Sequence, residues 1–325
     1  MILTLLCALY ALPGPYQFQL QNGTYQLYSI NRRLCPEFDP QRDTIFELYT
    51  RKNPTNPQIL LTGNENSIRS SNFDFTKPTI IFFHGFLESS KSDNSIQIRD
   101  SYLKYGDFNV ILGNNERLLA GPDYLTAALN VLPIGKYSAK FLDYLVSLGM
   151  DRKSLHIIGM SLGGQVAGLT GKHMENKARR VTGLDPAGPW FSLQSQDQRI
   201  GPDDGEFVDV LHTNAGVNGI NIPSGKVDVW FNGGSSQPGC SFKEILERNP
   251  TSVSEQVFCN HYQAYRVYVK SILEPKIYKL TKCTSYEAYQ NGNCDSNDTT
   301  YLGEEMDETA RGNYYITTGV TAVEI

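Results

Sequence analysis

Short apolar runs, each bounded by Gly, Pro or Asn, punctuate the chain. They lie at Thr79 to Phe83, Phe108 to Leu112, Leu155 to Ile158, Arg180 to Leu184, Phe207 to His212 and Val227 to Phe231. Runs this short and this apolar predict strands buried on both faces. Between them the period lengthens. Tyr137 to Leu148 sets Phe141, Leu145 and Leu148 on one face, and Leu162 to Met174 predicts a second helix. Strands alternating with helices predict βαβ units and a mostly parallel sheet with helices on both faces. The earlier stretch from Tyr25 to Leu61 alternates polar and apolar positions, as in Phe46-Glu47-Leu48-Tyr49-Thr50, and predicts antiparallel strands at the sheet edge. The tail after Cys283 is polar and rich in tyrosine, and its closing Tyr314 to Thr318 is expected to pack on the same sheet. No repeat or second-domain boundary is visible, so residues 15–325 are expected to form one domain.

Composition narrows the function. The chain has 325 residues, enough for a full α/β core, and a net charge of -5, which gives a polyanionic partner no electrostatic support. No nucleic acid is expected. Ile2 to Leu12 is apolar but too short to span a bilayer, and Pro13-Gly14-Pro15 ends it. Residues 1–14 read as a signal peptide cleaved between Ala11 and Gly14, although no Lys or Arg precedes the run; the alternative is a buried N-terminal strand or helix. No later stretch qualifies as a transmembrane anchor. Cys240/Cys259 and Cys283/Cys294 are locally spaced pairs, Cys35 stands alone, and Asn22 and Asn297 each begin a glycosylation sequon. Each sign is weak singly. Together they point to a secreted, extracellular protein.

Candidate chemistry centres on Leu155-His156-Ile157-Ile158-Gly159-Met160-Ser161-Leu162-Gly163-Gly164, a Gly-x-Ser-x-Gly between a strand and a helix. A serine on so tight a turn needs neighbours without Cβ atoms, and the following helix aims its positive end at a developing oxyanion. A bare glycine-rich turn is the competing reading. Serine also needs a base. Of five histidines, His156 lies in a strand, His173 on the polar side of a helix, His212 at a strand end and His84 in a His-Gly-Phe turn. His261, after Cys259 and before the helical pattern Tyr265, Tyr268, Ile272, is the candidate base, against a surface histidine as the plainer role. Asp185 follows a strand between serine and histidine, the order α/β-hydrolases use, whereas Asp209 and Asp228 lie inside strand runs. Phe86, after Thr79-Ile80-Ile81-Phe82-Phe83-His84-Gly85, and Leu162 are the candidate oxyanion donors through their backbone N–H groups.

Taken in register, these stretches resemble the pancreatic lipase family, in particular its insect phospholipase A1-like and neutral-lipase-like branch. The resemblance extends through Gly183-Leu184-Asp185-Pro186-Ala187-Gly188-Pro189, Phe207 to Thr213, Asn232-Gly233-Gly234, Gln237-Pro238-Gly239-Cys240 and Cys259-Asn260-His261. It implies an α/β-hydrolase with nucleophile Ser161, acid Asp185, base His261 and oxyanion donors Phe86 and Leu162. It implies a lipid ester as substrate, met at a membrane or emulsion interface. It also implies that Cys240–Cys259 closes a lid over the active site, with Phe242, Ile245 and Leu246 as an apolar helical face before Asn249-Pro250; a plain surface loop is the alternative.

Within that family, short lids and a short loop before the Asn-Gly-Gly strand accompany phospholipase A1 activity. Here Asn214 to Lys226 is short, while the lid from Ser241 to Phe258 is long, so the two indicators divide. Three departures stand out: Gly113-Asn114 where Asp-Trp is common, Gln165 where a histidine is frequent, and an altered calcium site. The vertebrate enzymes' calcium-binding carboxylates fall near Gln196, Gly201 and Asp204, of which only the last is an acid. No metal or other cofactor is expected. The family's C-terminal β-sandwich domain is expected to be absent, and with it a colipase-type partner. An inactive, yolk-protein-like lipid binder on the same fold is the alternative function.

Overall fold

The computed structural model describes residues 16–20, 23–27, 39–119, 124–248, 253–294 and 298–319. The expected signal peptide, Cys35 and the sequon residues Asn22 and Asn297 lie outside them. The strands are β1 (Tyr16–Leu20), β2 (Gly23–Leu27), β3 (Ile45–Tyr49), β4 (Gln58–Leu60), β5 (Thr79–Phe83), β6 (Asn109–Asn114) and β7 (Leu155–Met160). They continue with β8 (Arg180–Leu184), β9 (Phe207–His212), β10 (Val227–Phe231), β11 (Lys279–Lys282), β12 (Thr299–Tyr301) and β13 (Gly312–Ile316). The larger helices are α1 (Asp93–Tyr105), α2 (Tyr124–Ser147), α3 (Leu162–His173) and α5 (Val253–Leu273), with the short α4 (Phe242–Arg248) before the last.

One 11-stranded sheet runs in the order β12-β11-β13-β10-β9-β8-β7-β5-β6-β3-β4. From β13 across to β6 every neighbouring pair is parallel. The strands outside them are antiparallel: β3 and β4 on one side, β11 and β12 on the other. This is the mostly parallel sheet that the run pattern predicts and the α/β-hydrolase sheet that the resemblance implies, with alternating Phe46–Tyr49 on the expected edge. Residues buried on one face pack with α2 and α3, and those on the other with α1 and α5. Both faces of the central strands are therefore covered, which is why those strands are apolar throughout.

Several boundaries differ from the periodicity. Strand β6 extends to Asn114, so Gly113 lies within it. A Cβ there would sit 2.4 Å from the Phe83 ring, so the β5 side chain dictates glycine. Helix α2 begins at Tyr124 and carries Pro133 inside it, which masks its apolar stripe in the sequence. Helix α1 is polar on average. Its buried face includes Asn94, Ser95, Arg99 and Ser101 beside Ile98, Tyr102 and Leu103, leaving too thin a stripe to read.

The polar centre of the sheet is an ion pair. Arg180 of β8, 1% exposed, donates from Nε and Nη2 to the two carboxylate oxygens of Asp209 on β9, each at 2.8 Å. Thr182 donates to the same carboxylate at 2.7 Å, and Arg180 Nη1 reaches the Gly303 carbonyl at 2.9 Å. Breaking one side of such a buried pair strands a charge in low dielectric. Asp209→Asn should therefore destabilise the fold by about 3–5 kcal/mol in urea denaturation. A loss under about 1 kcal/mol would mean the pair contributes little.

Candidate active site

Ser161 sits between β7 and α3 with φ 58° and ψ -122°, a left-handed strain for a residue with a side chain. Its backbone N–H donates to the Leu184 carbonyl at 3.1 Å, and its carbonyl accepts from Ala187 at 3.0 Å. The turn closes only because its flanks lack side chains. A Cβ on Gly159 would lie 1.9 Å from the Gly163 carbonyl oxygen, and one on Gly163 would lie 2.0 Å from that of Phe83.

Asp185 follows β8, itself at φ 43°, and is fully buried. Its Oδ1 accepts from the backbone N–H groups of Thr213 at 2.9 Å and Asn214 at 3.1 Å. Its Oδ2 lies 2.6 Å from His261 Nδ1. A carboxylate held on one oxygen by two amides presents the other in a fixed direction, which sets the imidazole's orientation and its Nδ1–H tautomer. His261 lies inside helix α5, two turns past its start at Val253, so the histidine is mounted on an established helix. Cys259 on the same helix is bonded to Cys240, and Cys283 to Cys294, matching both expected pairs.

Ser161 and His261 line one small cavity with Phe86, Glu88, Met160, Phe258 and Tyr262. Its volume is about 20 Å³, room for roughly one water and none for an acyl chain. Phe258, the residue before Cys259 in the disulfide-closed segment, forms part of its wall. The expected apolar face of the segment divides. Ile245 is 2% exposed and buried with the Cys240–Cys259 disulfide, whereas Phe242 is 66% exposed.

The other titratable candidates are engaged elsewhere. His212 Nε2 lies 2.8 Å from Asp228, its Nδ1 3.0 Å from the Ile220 carbonyl, and its ring stacks on Trp230 at 3.8 Å. His156 is buried between Thr182 and Glu304, and His173 bonds the Leu169 carbonyl within its own helix. Asp209 belongs to the Arg180 pair, and Asp228 also accepts from the Ser224 and Gly225 amides.

The loop bearing Phe86 is fixed through His84, Leu87 and Glu88. Burial holds the His84 imidazole down at about 4, so it is neutral at ordinary pH. Its Nδ1–H donates to the Gly85 carbonyl at 3.0 Å, and Nε2 accepts from the Asn115 N–H at 3.0 Å. Leu87, at φ 59°, donates to the Leu119 carbonyl at 3.1 Å. Glu88 accepts the Gly85 N–H at 2.6 Å and Asn94 Nδ2 at 2.8 Å on one carboxylate oxygen. A Cβ on Gly85 would be 3.0 Å from Ser161 Cβ, so this loop lies directly against the serine. Leu162 is the first residue of α3, where an N–H has no acceptor within its helix. Both backbone positions expected as oxyanion donors therefore flank Ser161.

Sequence reasoning missed Glu88 and Asn94. The only sign of Glu88 is an acid three residues beyond Gly85, and nothing in the pattern marks it as buried. Burial pushes the Glu88 carboxyl above the usual glutamate range. The native state then keeps this proton over a pH window in which the unfolded chain has lost it, so stability falls as pH rises through that window. Glu88→Gln keeps an acceptor for Gly85 and removes the ionisation. Its Tm relative to wild type should be higher at pH 8 than at pH 4; a pH-independent offset would contradict a buried, proton-retaining Glu88.

Residues 24–321 match the family described as Lipase. Pancreatic triacylglycerol lipase of Myocastor coypus is 34% identical over 269 residues, covering 78% of this chain and 57% of that protein. Inactive pancreatic lipase-related protein 1 of Homo sapiens is 33% identical over 274 residues, covering 81% and 58%. Phospholipase A1 member A of Bos taurus is 33% identical over 258 residues, covering 77% and 53%. The chain spans about half the length of the curated relatives it matches. With the family profile matching most of its length and these relatives above 30% identity, the chain belongs to the Lipase family.

Proposed function

We propose that this chain is a secreted lipid carboxylic ester hydrolase, of phospholipase A1 type or a related lipase, acting through Ser161, His261 and Asp185. The observation that carries the reading is the 2.6 Å contact of His261 Nδ1 with a fully buried Asp185, beside a strained Ser161 lining the same cavity. In the reaction Ser161 Oγ attacks the ester carbonyl carbon while His261 Nε2 takes its proton. The tetrahedral oxyanion is received by the backbone N–H groups of Phe86 and Leu162, each worth about 3–4 kcal/mol in sites of this kind. His261 then protonates the departing alcohol, and a water activated by His261 hydrolyses the acyl-enzyme. Asp185 holds the tautomer and stabilises the imidazolium throughout.

Lipid as the substrate class is supported by the surface around the site. Trp190, Leu193, Val217, Phe242 and Val257 are exposed large apolar side chains on three neighbouring segments. Hydrogen bonds join those segments: Gly188 N–H to the Asn218 carbonyl at 2.8 Å, and Asn218 Nδ2 to the Val257 carbonyl at 3.4 Å. Such a surface suits an apolar interface. On this reading the segment carrying Phe258 moves as an acyl chain enters. Among the described residues no helix is long and apolar enough to cross a membrane. Secretion is supported by two disulfides and by the apolar run at residues 2–12.

A second reading has one specific support: a relative 33% identical to this chain carries "inactive" in its name. On that reading the chain binds lipid without turning it over. A fluorophosphonate separates the two. It should label the wild type and not Ser161→Ala, and the variant should lose roughly 10⁶-fold in turnover of a fluorescent phospholipid or triacylglycerol. Asp185→Asn should retain the fold and lose about 10⁴-fold. Hydrolysis that survives Ser161→Ala refutes the nucleophile, and an unlabelled wild type favours the binding protein. Products formed from a mixed phospholipid and triacylglycerol emulsion identify the head-group preference.

A further inference from the structure

Helix α3 turns two polar side chains, Gln165 and Lys172, toward the segment that follows β8. They are seven residues apart and so share a face. Gln165, fully buried, donates from Nε2 to the Ala187 carbonyl at 2.8 Å and accepts at Oε1 from the Ile200 N–H at 2.9 Å. Lys172 reaches three oxygens. Its Nζ donates to the Gln196 carbonyl and, at 2.9 Å, to the Arg199 carbonyl, and it lies 3.3 Å from Asp204 Oδ1. The other Asp204 oxygen accepts from the Gly201 N–H at 2.8 Å. Asp204 is 2% exposed; burial pushes its carboxyl up to about 6, with the Lys172 charge pulling it back.

Two main-chain carbonyls and a buried carboxylate converging on one point are the donor set of a hard divalent cation. Here the point is filled by an ammonium, which brings three N–H donors to three acceptors. In the vertebrate enzymes of the resembled family, calcium is held by carboxylates whose positions fall at this same segment. With Lys172 in place the residues present do not admit such an ion. Gln196 and Gly201 offer no carboxylate, and the lysine nitrogen already lies among the oxygens that remain.

We propose that Lys172 is a tethered cation that takes the place of a divalent metal in the segment from Asp185 to Asp204, making this part of the site metal-independent. The segment begins at the acid of the proposed triad, and its Ala187 N–H bonds the Ser161 carbonyl at 3.0 Å. Lys172 holds the far end of the segment and Gln165 holds it at Ala187 and Ile200, so the residue that bonds the Ser161 carbonyl is itself held from α3. Lys172 is a positioning residue in this scheme and touches no reacting atom. The scheme holds whichever ester is cleaved.

Thermal denaturation of the full chain in EDTA and in about 5 mM calcium tests it, that concentration exceeding the weakest usual calcium affinities. Wild type should show the same Tm in both. Lys172→Ala should lose roughly 3–8 °C in EDTA, as expected for an unpaired buried carboxylate in a domain this size, and regain at least half of that in calcium. Titration calorimetry should find one calcium site in Lys172→Ala and none in wild type. Lys172→Ala/Asp204→Asn should not respond to calcium. Stabilisation of the wild type by calcium overturns the proposal, as does a Lys172→Ala protein that loses nothing in EDTA. A destabilised variant blind to calcium overturns it too, since the lysine would then be only an ion-pair partner. So does failure of both Lys172→Ala and the milder Lys172→Gln to fold in calcium, because the ion must substitute for the ammonium.

Discussion

The close approach of α3 to its surroundings is the constraint from which the rest of the site follows. A Cβ on Gly168 would lie 2.6 Å from Ile200, and one on Gly171 would lie 2.1 Å from the Asp204 carbonyl oxygen. At its start the same helix meets the end of β5, where Gly163 leaves no space beside Phe83. A helix seated this deeply fixes the strand-to-helix turn in front of it, and Ser161 has no relaxed conformation available. Its φ of 58° is sustained by the hydrogen bonds to Leu184 and Ala187 on either side. Strain of this kind costs on the order of 1–3 kcal/mol and persists only where packing over-determines it.

Depth of packing also explains how polar groups are distributed. Where the sheet is covered on both faces, each ionisable side chain in it needs a dedicated partner, because desolvation in such surroundings is severe. Arg180 takes Asp209, and His212 lies against Asp228. Asp185 and Asp228 are each held by two backbone amides and each directs an oxygen at a histidine, but His212 has its other nitrogen on the Ile220 carbonyl, whereas His261 lines a cavity with Ser161. What separates the proposed catalytic carboxylate from the other two is thus the surroundings of its partner. All three are buried, so burial does not separate them.

Much of this was legible in the sequence for the same physical reason. Strands covered on both faces must be apolar along their whole length, so β5, β7, β8, β9 and β10 announce themselves as short runs. Ser161, Asp185 and His261 stand out because each lies at the end of such an element or beside a cysteine pair. What was hidden is held by partners far away in the chain. Helix α1 conceals its buried face in Asn94, Ser95 and Ser101, whose hydrogen bonds no periodicity reveals. Glu88 reads as a solvated acid until Gly85 and Asn94 are placed against it. Lys172 reads as an ordinary exposed lysine, since two of its three acceptors are main-chain carbonyls that any residue type would supply.

Helix α5 joins the cover of the site to its proposed base. Phe258, which walls the cavity, is three residues before His261 on one helix, with the buried Cys259 between them. His261 is held by Asp185, and Cys259 is tied to Cys240 at a Cα separation of 5.5 Å. On the proposed function, a movement that admits substrate and leaves the base in place deforms the chain ahead of Cys259. The helix beyond it, whose Tyr265, Tyr268 and Ile272 are packed against the sheet, is too well anchored to follow. The disulfide thus marks a mechanical boundary. On one side of it lies a segment in which Ile245, Ser254 and Glu255 are buried and Phe242 and Val257 are exposed, and on the other a helix built into the core. On the proposed function, the part that opens and the helix that carries the base adjoin at the Cys240–Cys259 bond.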